Sequence, residues 1–342
     1  MTMNDPKQAA GANRPTMETL AEIAGVSKIT VSRALRGSEL VRPELREKIV
    51  AIARDAGYRM NVAARALRTR RSQTIAFVIE KLIAGDRPIS DPLLLSMMGG
   101  LLETLTPAGQ AILVTTSDHF LDSPAIDADG IVMIGQGPGG ERARQIAASG
   151  LPMVLWGAPL ADIDVAVIGS NNRQGGELAA RHLVDSGRQR LLFLGDSDHP
   201  EVAARLEGVR DVLSSTSAAL VGRIPCEFSR ATGALAIEQA LRDGIRFDAV
   251  IAASDFIAAG ACDALLQRGL RVPEDVAITG FDDIAVAANN RPPLTSIRQD
   301  WSSAGRLLGE AILALVGGDA DYRLPSLLPV ELIVRQSSAP AG

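Results

Sequence analysis

TMETLAEIAGVSKITVSRAL, Thr16 to Leu35, decides how the rest of the chain is organised. Met17, Leu20, Ala21 and Ala24 recur at i, i+3, i+4 and i+7, which makes one apolar stripe on a short helix. Thr16 is placed to cap that helix with its hydroxyl. Gly25 permits a sharp turn, and Ser27 can cap a second helix running to about Leu35. On this second helix Val31, Ala34 and Leu35 share a buried face. Ile29 and Arg33, four apart, point the other way, with Lys28 and Ser32 on the flanks. An exposed Ile beside an Arg suits base edges, since Arg forks onto guanine and Ile packs on a thymine methyl. Helix, Gly turn and helix with a basic outer face predict a DNA-binding helix-turn-helix.

A helical hairpin capping a larger domain would share the apolar pattern, but the charge argues for nucleic acid. Arg14 to Ser72 holds 13 Lys/Arg against 6 Asp/Glu, a net of +7, whereas the 270 residues after Ser72 carry −12. Such asymmetry places a polyanion at the basic end.

At 342 residues the chain has room for two or three domains with substantial cores. No apolar run approaches the roughly 18 residues of a membrane span, so no membrane partner is expected. There is no signal-peptide pattern. Cys226 and Cys262 are isolated, which fits a reducing cytoplasm, and His119, His182 and His199 form no ligand pattern. Neither a metal nor a cofactor is expected.

AGVSKITVSRAL (24–35) and PELREKIVAIARDAGYRMNVAARALR (43–68) resemble the LacI/GalR family of bacterial transcriptional regulators, with spacing and residue types agreeing over some fifty positions. The fold class that follows is an all-α helix-turn-helix headpiece and an α/β core of two doubly wound parallel-sheet subdomains, periplasmic binding protein-like type I. The candidate DNA contacts in the headpiece are Thr16, Ser27, Lys28, Ile29, Thr30, Ser32 and Arg33.

Residues 1–13 are small and polar and are expected to be a disordered tail. The headpiece occupies 14–60, with Pro43 opening a third helix at its first position. Leu45, Ile49, Ile52 and Ala56 of that helix face the first two, and Gly57 ends it. Asn61 to Leu67 (NVAARAL) is a helix of about six residues within a linker at 61–72. A helix that short is marginal alone, so it is expected to fold only on DNA; a plain basic linker is the alternative. In the resembling family this segment is a hinge helix paired with its dimer mate in the minor groove. Asn61, Ala64, Arg65 and Leu67 match it, with Leu67 as the wedge between base steps.

From Ser72 onward, short apolar runs alternate with amphipathic helices. Strands are predicted at 74–79, 110–116, 130–134, 152–156 and 164–169, and again at 190–195, 220–226, 248–253 and 276–281. Continuous apolar strands between helices predict parallel sheets covered on both faces, and two sets predict two subdomains with ligand space between them. The resemblance places the N-terminal subdomain at 73–169 plus 300–327 and the C-terminal one at 170–297 plus 329–338. SSAPAG (337–342) is expected to be a ragged end. The family's tetramerising tail is absent, so a homodimer is expected.

For the cleft, the resemblance implies a small-molecule effector, a mono- or disaccharide, and candidate contacts. Arg205 stands in R-x-x-G (205–208), and Asp282 matches the acid of G-[FY]-D-D. Ser254 and Asp255 stand where relatives often carry Asn-Asp, while Gln299 and Trp301 match a polar contact and an aromatic wall. Asp91 and Leu93 fall where many relatives have Asn-Pro-Phe-Phe, and both aromatics of that pattern are aliphatic here. Trp156 is placed to supply the missing stacking face. Asp283 is expected either to cap the next helix or to touch ligand. Gly135 to Gly140 (GQGPGG) formally matches G-x-G-x-x-G, but the next strand ends in Leu155-Trp156-Gly157 without the acid a dinucleotide ribose requires. A flexible loop at the cleft rim is expected instead. No nucleophile is paired with a base. The sequence therefore predicts a cytoplasmic, homodimeric repressor that leaves a palindromic site on double-stranded DNA when a sugar binds. A corepressor-dependent regulator and a sugar- or dinucleotide-dependent enzyme are the alternatives.

Overall fold

A computed structural model describes residues 15–35, 37–58, 71–80, 92–123, 126–160, 162–319, 322–323 and 327–339. The chain divides into two compact units, one within residues 1–72 and one from Gln73 onward. In the first unit three helices, α1 (Met17–Ala24), α2 (Lys28–Ala34) and α3 (Pro43–Asp55), enclose a small core. Leu20, Val31 and Ile49 are fully buried at its centre. Each contributes roughly 1.5–3 kcal/mol of apolar burial.

The local chemistry sets the angle between the first two helices. Thr16 and Thr19 form a reciprocal capping box on α1, and Thr19 N–H donates to Thr16 Oγ1 at 3.2 Å. Gly25 ends α1 at φ 67°, a conformation that costs a Cβ-bearing residue, and Ser27 Oγ then accepts from Thr30 N–H at 3.1 Å to start α2.

The second unit holds two sheets. The first runs in the order β2-β1-β3-β4-β5, from β1 (Thr74–Ile79), β2 (Ala111–Thr116), β3 (Gly130–Ile134), β4 (Met153–Trp156) and β5 (Ala166–Ile168). Helices α4 (Pro92–Leu105), α5 (Ser117–Asp122) and α6 (Glu141–Ala147) lie among these strands in sequence. All its pairings are parallel, as the unbroken apolar runs predict.

The second sheet begins with α7 (Asn172–Asp185), β6 (Arg190–Leu194), α8 (Pro200–Leu213) and β7 (Ala219–Ile224). It continues through α9 (Arg230–Arg242), β8 (Ala249–Ala252), α10 (Asp255–Gln267), β9 (Ala277–Asp282) and α11 (Ala285–Asn289). Two further strands, β10 (Thr295–Arg298) and β11 (Glu331–Ile333), complete the order β11-β10-β9-β8-β6-β7. Neither has a run of apolar residues long enough to mark it, and β11 pairs antiparallel to β10. Between them α12 (Trp301–Gly317) returns to pack along α4 on the first sheet.

The chain thus passes between the two lobes three times. Two of the passages lie side by side: Ser170 bridges Leu328, Asn171 N–H donates to Leu328 O, and Leu328 N–H donates to Gly169 O, both at 2.8 Å.

Helices α7 and α8 touch backbone to backbone. A methyl at Gly176 would overlap the Arg205 carbonyl, and one at Gly208 would overlap that of Arg173. These two close approaches, one glycine from each helix, fix where Arg205 stands.

The C-terminal stretch is not ragged at its start. Ser337 and Ser338 are buried, with Ser337 Oγ accepting from Thr295 N–H at 2.8 Å and donating to Ile278 O at 2.7 Å. Small hydroxyls there close polar backbone at the sheet margin, which composition alone does not reveal. Among the described residues, no helix is long and apolar enough to cross a membrane.

Candidate functional site

The outer face of α2 carries the headpiece residues singled out for DNA. Ile29 is 63% exposed and Arg33 is exposed beside it. An isoleucine left so open on a helix whose other face is packed has no role in the headpiece core. Lys28 is ion-paired with Glu18 of α1, and that pair holds the Glu18 carboxyl below its ordinary range. Both partners are solvent-exposed, so the pair is weak, salt-screened and readily exchanged for a phosphate. Thr16 and Ser27 spend their side chains as helix caps, and Thr30 Oγ1 lies 2.9 Å from Ser27 Oγ. Ser32 is half-buried on the flank of the same face. Asn61, Ala64, Arg65 and Leu67 lie outside the described residues.

In the second unit a cleft of about 980 Å³, its open mouth included, lies where the carboxyl ends of both sheets face each other. The strand ends supply its lining directly: Ile79 and Glu80 after β1, Ile134 and Gly135 after β3, Trp156 and Gly157 after β4, and Asp282 at the end of β9. This is the general position for ligands in open parallel sheets.

Six of the sequence-selected residues meet here: Leu93, Trp156, Arg205, Asp282, Gln299 and Trp301. The two tryptophan rings lie 5.6 Å apart between centroids, tilted by 58°. Arg205 is buried. Its Nε donates to Asn172 Oδ1 at 2.8 Å, one terminal nitrogen donates to the Ala253 carbonyl, and the guanidinium lies 3.6 Å over the Phe281 ring. Its direction is therefore set from three sides. Asp282 sits at φ 107° and Asp283 at φ 52°, a strained turn that sends Asp282 towards the cleft. Gln299 Nε2 donates to Asp282 Oδ1 at 2.6 Å, and Trp301 Nε1 reaches the Asp282 carbonyl at 3.4 Å.

Ser254 and Asp255 do not reach the cleft. Ser254 is fully buried and caps α10. Asp255, also fully buried, accepts from Ser296 Oγ at 2.5 Å and from Ile284 N–H at 2.9 Å. Burial, with Asp282 adding repulsion, pushes its carboxyl well above the usual range. It clamps the turn behind Asp282, so the pair's chemistry is spent on shape. Asp283 neither caps a helix nor lines the cleft; Arg298 and Arg335 each hold it at 2.7 Å. Asp91 lies outside the described residues.

The glycine-rich loop is pinned rather than loose. Gln136 is buried, donating to Ala158 O at 2.6 Å and accepting from Ala158 N–H at 2.9 Å. Gly139 N–H donates to Asp198 O at 3.0 Å, a backbone bond from one lobe to the other.

Sequence reasoning passed over Glu80, Asn172, Glu201 and Phe228, all of which line the cleft. Glu80 directly follows a strand predicted to its last residue, and Glu201 lies four before Arg205 on the same helix face. Strand-end position and helical spacing were the available signals. Burial raises the Glu80 carboxyl above its ordinary range, against opposing help from the Ser117 hydroxyl and Arg142.

Among the described residues, no nucleophile in the cleft is paired with a base. Burial pushes Cys226 up to about 12 and Cys262 up to about 11, so neither thiol is a nucleophile near neutral pH. His182 is half-buried against Ser338 Oγ at 2.7 Å. No cluster of three metal-ligating side chains occurs among the described residues.

Residues 16–61 match the model of bacterial regulatory proteins of the lacI family, and residues 180–338 match the periplasmic binding protein-like domain. The HTH-type transcriptional regulator GntR of Pseudomonas aeruginosa is 31% identical, covering 99% of each chain. The ribose operon repressor of Haemophilus influenzae is 28% identical over 94% of this chain and 98% of its own. Among solved structures, the complex of the transcriptional regulator CelR with cellobiose superposes with a TM-score of 0.69 at 27% identity, covering 95% of this chain and all of that one. A basic helix-turn-helix, a two-lobed core with a cleft between its sheets, and relatives matched over almost their whole length lead to one assignment. The chain belongs to the lacI family of bacterial regulatory proteins and is a DNA-binding transcriptional regulator rather than an enzyme.

Proposed function

We propose that the protein is a homodimeric repressor that occupies a palindromic operator and is released by a mono- or disaccharide bound between the lobes of its core. The observation that carries the sugar assignment is the division of the cleft. Two tryptophans and aliphatic side chains cover one side, while Arg205, Asp282, Gln299 and Asn172 offer oriented polar groups on the other. A pyranose has the same two characters, apolar faces and a hydroxyl edge. The CelR–cellobiose complex and the ribose operon repressor support the same class of effector.

On the DNA side, Lys28, Ile29, Ser32 and Arg33 would face the major groove, with Thr16, Ser27 and Thr30 near the backbone. Asn61, Ala64, Arg65 and Leu67 would form the hinge, Leu67 wedging at the centre of the site. Such a protein works in the cytoplasm, on the nucleoid.

The dimer proposal draws on the N-terminal lobe. Leu95 and Leu102 lie two turns apart on α4 and are 48% and 44% exposed; neighbouring β2, an edge strand, leaves Leu113 and Val114 open as well. An apolar helix face beside an unprotected strand edge favours a second copy of the chain as cover. Sugar binding that closes the lobes would shift this face and separate the hinges. A hundredfold preference of sugar for the released state supplies about 2.7 kcal/mol per site.

The test is selection of DNA from a random pool by the purified protein, repeated with a panel of mono- and disaccharides. A palindromic motif lost in the presence of one sugar is the expected outcome. A motif that appears only with ligand would replace induction by corepression. Absence of any motif at low salt would overturn the operator proposal.

A further inference from the structure

The cleft is acid-rich in a way that the sugar assignment does not require. Among the described residues its lining carries three carboxylates, Glu80, Glu201 and Asp282, against one lining cation, Arg205, with Arg142 behind Glu80 at 3.9 Å. Arg205 is engaged by Asn172, the Ala253 carbonyl and the Phe281 ring, and Asp282 is held by Gln299. The two glutamates differ. Glu80 Oε2 and Glu201 Oε2 are both buried with no hydrogen-bond partner among the described residues. Glu80 directly follows β1 of the N-terminal lobe and Glu201 sits in the first turn of α8 in the C-terminal lobe.

A buried acceptor left unsatisfied is disfavoured, and more so when charged. Two such acceptors on opposite walls of one cavity are therefore matched by a ligand that brings donors, and are penalised by one that brings a further negative charge. Like charges a few ångströms apart in a partly desolvated site repel strongly.

We propose that the cleft selects non-acidic, hydroxyl-rich sugars and rejects sugar acids, with Glu80 and Glu201 as specificity-determining residues that accept hydroxyl hydrogens from the two walls. The proposal rests on the sugar-effector reading and narrows it. Donors given to both glutamates at once also tie one lobe to the other, so the same two contacts that choose the ligand favour the closed core.

The experiment is calorimetric titration of the full-length protein with cellobiose, lactose, maltose and a panel of neutral monosaccharides, each beside its aldonic acid. A neutral sugar should bind at least a hundredfold more tightly than its acid. In Glu201→Gln and in Glu80→Gln that ratio should shrink tenfold or more, because each variant keeps an acceptor and loses the charge. Thermal unfolding of both variants separates this from a folding defect. An acid that binds as tightly as its neutral parent, or an unchanged ratio in both variants, overturns the charge assignment and leaves the sugar reading standing. No binding by any neutral or acidic sugar overturns the sugar reading, and this inference with it.

Discussion

The two walls of the cleft are built by different means. The N-terminal wall is apolar: Ile79, Leu93, Leu94, Ile134 and Trp156 belong to the core of that lobe, and Trp301 packs on its edge. Such a surface attracts any apolar face and imposes little direction. The C-terminal wall is a bonded array in which Arg205, Asn172, Asp282 and Gln299 hold one another. Its groups are aimed before ligand arrives, so orientation costs little on binding. The contrast assigns undirected attraction to the first wall and discrimination to the second.

The largest expected effect breaks the second wall from beneath. Gly176→Ala places a methyl against the Arg205 carbonyl, where backbone, not a flexible side chain, must move. The core should lose about 3 kcal/mol and, with α8 displaced, its effector response. Urea melts followed by tryptophan fluorescence check this directly, because both tryptophans of the chain lie in the cleft. An unchanged midpoint would mean that α7 and α8 do not meet as described.

Within the wall, Asp282→Ala removes a charged acceptor and strands Gln299. Effector affinity should fall about a hundredfold, in line with the 1.5–3 kcal/mol typical of hydrogen bonds to charged groups. Discrimination between epimers should fall with it. On the facing wall Trp301→Ala should weaken all sugars by about tenfold, since an aromatic contact of this kind contributes about 1.5 kcal/mol, while leaving their order intact. Isothermal titration with a set of epimers measures both variants. A reordering by Trp301→Ala would erase the division of labour.

That division was half legible in the sequence. Unbroken apolar runs marked most strands of both sheets, and the resemblance pointed to Trp156 at the end of β4 and Asp282 at the end of β9. β10 and β11 were not visible, because TSIR and ELI are too short and too polar to stand out from loops. Ser254 and Asp255 misled for a different reason. A polar pair at a strand end reads the same whether it faces ligand or, as here, turns inward to fix a neighbouring loop. Only the packed structure separates these, since the choice depends on Ser296 and Ile284, some thirty to forty residues away. Glu80 and Glu201 were overlooked because an acid at a strand end or in the first turn of a helix is ordinary in a soluble protein. What distinguishes them is one buried carboxylate oxygen apiece with no hydrogen-bond partner among the described residues, a property of the assembled cleft.

Among the described residues Glu80 is the one charged side chain on the otherwise apolar wall, and it gives the smallest and most specific test of the comparison. Burial raises its carboxyl above the ordinary 4.5 of a glutamate. For a group raised on folding, the stabilising contribution is full at low pH and is lost as pH rises through the folded value. The ligand-free core should therefore lose a little stability from about pH 4.5 upward, and Glu80→Gln should flatten that loss. Sugar binding should follow the opposite slope, because only the ionised carboxylate accepts two hydroxyl donors without surrendering a proton. Affinity then rises over the same interval in the unaltered protein and stays level in Glu80→Gln. Both slopes can be followed by tryptophan fluorescence, in urea melts without sugar and in titrations with it. Parallel slopes, or slopes that persist in Glu80→Gln, would remove this carboxyl from the ligand's reach and leave the N-terminal wall purely apolar.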